Sequence, residues 1–140
     1  MLCGSISTHA EIAHKRRRFD EVLREHGHAT AGRDIPIARQ IALAPDDARA
    51  REIALRGAGW LLGSYNKGAT AAPAVSANRR ANLTRSVDEY VDGCVIWGSP
   101  ARVRDELARL REELPLEYLM IAPLSDASFT RFVDEVLPKL

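Results

Sequence analysis

The stretch from Val95 to Leu140 constrains the fold most. It reads as an apolar run, a turn, a helix, a buried strand and a closing helix. Ser99 is a natural N-cap, and Pro100 suits the first helical position because its missing N–H would have no partner there anyway. Val103, Leu107, Leu110 and Leu114 then place one apolar face on a helix, which Pro115 ends. Tyr118 to Ala122 is apolar throughout, as expected of a strand covered on both faces. Phe129, Phe132, Val133, Val136 and Leu137 return to helical spacing, and Pro138 closes the run. A helix feeding a doubly covered strand is half of a parallel α/β unit, and a parallel strand needs parallel neighbours.

Upstream, Thr8 and Glu11 form a capping box for a helix from about His9 to His26. Ile12, Phe19, Val22 and Leu23 give that helix an apolar stripe, and Gly27 suits the position after its end. Ile35, Ile37, Ile41 and Leu43 alternate with smaller residues, which predicts a strand over Ile35–Ala44, with Pro36 tolerated near its start. Pro45-Asp46-Asp47 caps a second helix, expected to run to about Leu62. From Gly63 to Thr84 the chain is rich in Ala, Gly, Ser, Asn and Pro, with Val75 and Leu83 the only branched aliphatics. A long loop or insertion is expected there. Ser86 and Glu89 form another capping box, before a short helix over Val87–Val91. The opening residues Leu2 to Ser7 read as the tail of a strand followed by a loop.

The order of these segments carries a resemblance. Val95-Ile96-Trp97-Gly98-Ser99-Pro100, then Val103 and Leu107, then Tyr118 to Pro123, then Phe132-Val133-Asp134-Glu135-Val136-Leu137-Pro138 resembles the C-terminal end of the luciferase-like monooxygenases. Asp34 to Ala44, followed by Asp46-Asp47-Ala48-Arg49, resembles the seventh strand of that family and its helix. The resemblance leaves a gap at about residues 63–86. It implies an α/β fold that is part of a (β/α)8 barrel, with strands seven and eight and their helices. It also implies oxidation of a small organic substrate with a flavin such as FMN, or with a deazaflavin. A complete barrel of this kind needs about 250 residues, whereas this chain has 140. The expectation is therefore one unit, residues 1–140, forming the C-terminal part of a barrel domain. Such a part is not expected to bind the cofactor by itself. The alternative is an inert barrel half, or a module that pairs with a missing half or with itself through bare strand edges.

Candidate site residues are few. Gly4, Ser5 and Ser7 form a small, hydroxyl-rich loop at a helix N-terminus, where backbone N–H groups attract anions. In the barrel this loop would follow strand six on the catalytic face, so these three are the pocket-lining candidates. Plain helix capping is the competing explanation. The loops Ala44–Asp47 and Leu124–Asp126 are expected to complete one wall. Gly98-Ser99-Pro100 reads as a tight capped turn, and Trp97 as core or interface packing. No nucleophile with its base, P-loop or dinucleotide fingerprint is present, so no catalytic residue is assigned.

His26 and His28 lack a third ligand at zinc spacing, and no metal is expected. Lys15-Arg16-Arg17-Arg18 is flanked by Glu11, Asp20 and Glu21 so as to pair Glu11 with Lys15, Arg16 with Asp20 and Arg17 with Glu21 one helical turn apart. It therefore reads as a solvated, ion-paired face. With a net charge of +1 and no aromatic interleaving, nucleic acid is not an expected partner. No apolar run approaches the length of about 20 residues of a membrane helix. Two cysteines, Cys3 and Cys94, make no disulfide framework, and a reducing cytoplasm is the simple expectation.

Overall fold

The computed structural model of the chain describes residues 6–31, 36–69, 85–114 and 118–140, with side chains given to residue 64 in the second helix. Its elements are α1 (His9–Glu25), β1 (Ile37–Leu43), α2 (Asp47–Ala69), α3 (Val87–Cys94), β2 (Val95–Gly98), α4 (Pro100–Glu113), β3 (Leu119–Pro123) and α5 (Asp126–Arg131). After α5 the helix widens into a π turn over Phe132–Val136 and tightens into a 3-10 turn over Leu137–Lys139.

The three strands form one parallel sheet in the order β2-β1-β3. Ile37 to Ile41 pair with Leu119 to Pro123, so the two expected strands are adjacent and parallel. On its other edge, Gln40 to Leu43 pair with Val95 to Gly98. This third strand is absent from the sequence reading, which left Val95–Trp97 as an apolar run before a turn. Successive β1 residues face opposite sides. Ile37, Ile41 and Leu43 join Ile12, Ile96, Val103, Leu107, Leu110, Phe132 and Val136 in one core, with Ile121 packed against it. Ala42 joins Ala54, Ala58, Leu62, Tyr90, Val91 and Val95 in the other. Helices therefore lie on both faces. Two connections of one hand, β1 to β2 and then β2 back across β1 to β3, run in opposite directions over the sheet and require this.

Local chemistry explains the helix starts. Both capping boxes form: the Thr8 hydroxyl accepts from Glu11 N at 3.3 Å while Glu11 Oε2 accepts from Thr8 N at 2.7 Å. Ser86 and Glu89 repeat the arrangement. Gly27 ends α1 at φ 70°, in the left-handed region glycine favours. Pro100 stands at the first position of α4, but the Ser99 side chain makes no capping bond. Instead Asp47 of α2 accepts from Ser99 N at 2.8 Å and pairs with Arg102 at 3.3 Å. Gly98 is at φ 145°, and a Cβ there would meet Arg102 Cδ at 2.5 Å. That close approach accounts for the Gly-Ser-Pro turn. Trp97 is stacked 3.9 Å from the Arg102 guanidinium, with Arg51 on it at 5.3 Å.

Three further expectations are corrected. The second helix does not stop at Leu62 but continues to Ala69, so residues 63–69 are helical and not loop; residues 70–84 lie outside the described set. Strand β3 is not covered on both faces: Met120 is 45% exposed, and Ala122 is exposed as well. It is the last strand of the sheet, and α2 and α3 cover only β1 and β2 on that side. The closing helix buries Phe132 and Val136 yet leaves Phe129, Val133 and Leu137 exposed.

The basic tetrapeptide also pairs differently. Arg16 meets Asp20 as expected, at 3.4 Å, but Glu21 is met by Arg18, at 3.3 Å. Lys15 reaches Ser7 Oγ at 2.7 Å and not Glu11. The capping box turns Glu11 back toward Thr8, where Arg85 meets it at 2.9 Å.

Ser128 repairs a defect in the sheet. Strand β3 ends opposite Ile41, two residues short of the end of β1. The buried Ser128 hydroxyl fills the gap, accepting from Leu43 N at 3.0 Å and donating to Leu43 O at 3.1 Å. Ser128→Ala leaves two buried backbone groups unpaired and should cost about 1–3 kcal/mol in urea denaturation. An unchanged midpoint would show that the hydroxyl contributes nothing. Leu107→Ala, in the core that also holds Leu43 and Phe132, should cost about 2–5 kcal/mol.

His9 fixes the pH response of the α1–α4 contact. Its Nδ1 lies 3.6 Å from Glu106. Burial and then the Arg39 guanidinium outweigh that carboxylate and hold His9 down to about 4. The unfolded chain binds the proton first, near pH 6.5. Neutral His9 therefore contributes stability that is complete above pH 6.5 and falls away toward pH 4, by of order 2–3 kcal/mol. Urea midpoints at pH 7 and pH 4.5 should differ less in His9→Gln than in the parent; equal differences would discount His9.

Candidate functional site

The carboxyl ends of β1 and β3 face a point where the chain divides. Beyond β1, Pro45 and Asp46 lead into α2, whose start Asp46 caps by accepting from Arg49 N at 2.8 Å. Beyond β3, Leu124 N donates to Ile41 O at 2.9 Å, and Ser125 caps α5 by accepting from Ser128 N at 3.1 Å. The two helices leave toward opposite faces. In open α/β sheets, ligands bind in the crevice that such a divergence opens.

A trough of about 740 Å³ lies there, between the flank of α2 and the bare face of β3. Its helix wall carries Arg49, Ile53, Arg56, Gly57 and Trp60, which recur at helical spacing, and Ala122 to Ser125 form the opposite wall. The floor includes Gln40, only 7% exposed. Its Oε1 accepts from Tyr90 OH at 3.1 Å, so its amide N–H groups are the donors left for the trough. Gly57 sets the width: a Cβ there would come within 2.9 Å of Leu124 Cδ2. Arg49 is paired with Glu52 at 2.6 Å. Among the described residues Arg56 has no acidic partner.

The trough can bind, but it holds no group for proton transfer or nucleophilic attack. Ser125 and Ser128 are occupied with capping and with Leu43. Burial pushes the Cys94 thiol up, and its Sγ donates to Ile6 O at 3.6 Å, so it is no ready thiolate. Among the described residues no three His, Cys, Asp or Glu side chains form a metal-binding group. No helix among them is long and apolar enough to cross a membrane. A second groove, of about 950 Å³, lies at the opposite end of β3 between α4 and the C-terminus.

Of the pocket-lining candidates, Gly4 and Ser5 lie outside the described residues. Ser7 is 3% exposed, is engaged by Lys15, and lines neither groove. Of the two loops, Leu124 and Ser125 beyond β3 line the trough, whereas none of Ala44–Asp47 does; Ala44 and Asp47 bond instead to Gly98 and Ser99 after β2. Sequence reasoning missed Gln40, Arg56 and Trp60. The signal was the i, i+3, i+4 recurrence of Arg49, Ile53, Arg56 and Trp60 on a helix whose other face is alanine.

Comparison with known proteins bears on the fold and the family. Solved structures with the same architecture include an F420-dependent secondary alcohol dehydrogenase in complex with an F420-acetone adduct, at 16% identity and TM-score 0.66, covering 98% of this chain and 41% of that one. The oxygenating constituent of 3,6-diketocamphane monooxygenase from Pseudomonas putida, in complex with FMN, matches at 17% identity and TM-score 0.62, covering 96% and 41%. A long-chain alkane monooxygenase matches at 18% identity and TM-score 0.62, covering 96% and 34%. The chain thus spans between about a third and two-fifths of the length of these structures. No curated protein matches it. The family model described as luciferase-like monooxygenase matches residues 1–117, and the chain belongs to that family.

Proposed function

We propose that this chain supplies part of the carboxyl-end face of a flavin- or deazaflavin-dependent oxidoreductase acting on a small organic substrate. On this reading β1 and β3 are the seventh and eighth staves of a (β/α)8 barrel, and β2 is an added strand beside them. The observation that carries it is the adjacency of β1 and β3, parallel and connected through α2, α3, β2 and α4, in a chain of this family. Catalytic faces of such barrels are built from the carboxyl ends of all eight strands. This chain offers the loop after β3, beside α2, as one wall. The donors found there, the Gln40 amide, Arg49 and Arg56, do not by themselves enclose a flavin ring and its phosphate. When bound, the cofactor of these enzymes supplies the redox chemistry; the residues of this chain position and desolvate what lies against them.

A second reading, a partner-binding α/β module without catalysis of its own, is favoured by one specific feature. The outer edge of β3 pairs with no strand among the described residues, and Tyr118, Met120, Phe129, Val133 and Leu137 are exposed near it. Bare parallel edges with apolar flanks invite association. Either a second copy or the rest of a barrel would cover them.

Flavin fluorescence quenching, measured with FMN on the purified chain across a range of protein concentrations alongside its mass in solution, tests both. The expected outcome is no turnover, self-association, and at most weak quenching that strengthens as the chain assembles. Stoichiometric binding by a monomer would refute the need for further strands. Absence of quenching at every concentration, with either FMN or a deazaflavin, would leave the partner-binding reading.

A further inference from the structure

We infer that the trough between α2 and β3 is a binding site for a flat aromatic anion, of which an aromatic carboxylate is the simplest representative. The inference goes beyond the cofactor reading, because it stands on the trough's own walls whatever is bound elsewhere. Three features converge. First, the walls are apolar and lie on opposing elements: Ile53, Gly57 and Trp60 on α2 against Ala122 and Leu124 beyond β3. Trp60 is 74% exposed, an unusual cost for an indole on a helix whose next turns bury Ala54, Ala58 and Leu62. A flat ring laid against it would recover that area.

Second, the polar groups are donors. Gln40 is nine-tenths buried and commits its oxygen to Tyr90. Its amide N–H groups are thereby left to meet an acceptor. Third, the charge is one-sided. Arg49 and Arg56 line the trough, no acidic residue does, and Arg56 has no carboxylate partner among the described residues. An uncompensated guanidinium beside an apolar slot favours an anion with a planar body, which guanidinium and indole both stack against.

Width supports the same class. Gly57 is the one position of the helix wall where a side chain is absent, and Leu124 fills the space opposite to within contact distance. At Gly57 the α2 wall and Leu124 therefore stand as close as two walls can, and the trough is bounded there. A branched aliphatic anion lacks the flat face that this geometry and the indole reward.

The chain holds two tryptophans, which makes the test direct. Their indole N–H resonances report separately: Trp60 lines the trough, whereas Trp97 is clamped between Arg51 and Arg102. The full chain is titrated with 2-naphthoate and with its neutral isostere 2-naphthamide. We expect a saturable shift of the Trp60 resonance with naphthoate, little movement of Trp97, and weaker binding of the amide. Arg56→Ala should weaken naphthoate by about fivefold, the scale of a partly exposed ion pair, and naphthamide, which loses only the stacking, by less. Gly57→Ala, which drives Leu124 into the slot, should weaken both.

Equal affinity for the two probes would overturn the anion assignment. So would an Arg56→Ala chain that binds naphthoate as the parent does. Trp60 and Trp97 moving together, or neither moving, would overturn the site. A Trp60 shift that follows protein concentration without any probe would overturn it in favour of a second copy seated in the trough.

Discussion

Strand β1 carries the molecule because, among the described strands, it alone is hydrogen-bonded on both edges and buried on both faces. Its five consecutive positions from Arg39 to Leu43 are all buried. Alternate side chains feed the two cores, so neither helical layer has a floor without it. A strand in this position must have its backbone fully paired, since each unmet group would cost as much as a lost core contact. That requirement explains Ser128. Where β3 runs out, a hydroxyl from the start of α5 takes both the N–H and the C=O of Leu43, and Ser125 holds that hydroxyl in turn at 2.9 Å. The same contacts pin α5 to the end of β1. The loop after β3 is thereby fixed beside the end of β1, and the trough owes one of its walls to a hydrogen-bonding repair.

The parts of the fold that were legible in the sequence are those set by local chemistry. Two capping boxes, the Gly27 stop and the helix face of Val103, Leu107 and Leu110 depend on residues within a few positions of each other. The pairing of β1 with β3 was legible for a different reason: two β-periodic or apolar segments flanking a helix have few ways to pack. What failed depended on distant partners. Val95–Gly98 has only four residues, and its identity as a strand comes from Gln40 to Leu43 beside it. The cover over Met120 and Ala122 was expected from an apolar run that cannot say whether anything arrives to bury it. Residues 63–69 looked like loop because Gly63, Ser64, Asn66 and Gly68 are poor helix formers, yet a helix already docked through Ala50, Ala54, Ala58 and Leu62 carries them along.

The site divides along the same line. Topology brings the loop after β3 to the trough, where Leu124 and Ser125 stand, but the loop after β1 turns instead to Gly98 and Ser99. Gln40, Arg56 and Trp60 could not be singled out beforehand. Gln40 stands mid-strand, where a polar residue is ordinarily a surface residue. Only the contact with Tyr90, fifty positions away, shows that it is buried with one end satisfied and the other turned to the trough. The arginines of α2 are equally ambiguous from sequence, since Arg49 and Arg51 serve ion pairs while Arg56 has none among the described residues.

One asymmetry joins the fold to the surface it leaves open. The alanine stripe of α2 lets that helix lie close on β1 and β2, with Ala50, Ala54 and Ala58 fully buried. Small side chains give a close approach but a short reach. A helix seated so tightly over two strands cannot extend its side chains across the third. The face of β3 beside it is consequently bare, with Met120 and Ala122 exposed, and Gly57 at the helix edge admits Leu124 where a larger residue would have filled the gap. Trading an alanine for leucine would raise the helix and widen its reach, at the cost of the contact that seats it; overpacking of this kind costs about 1–3 kcal/mol. The trough is thus a consequence of how α2 is held, and closing it from within the chain would require loosening the second core.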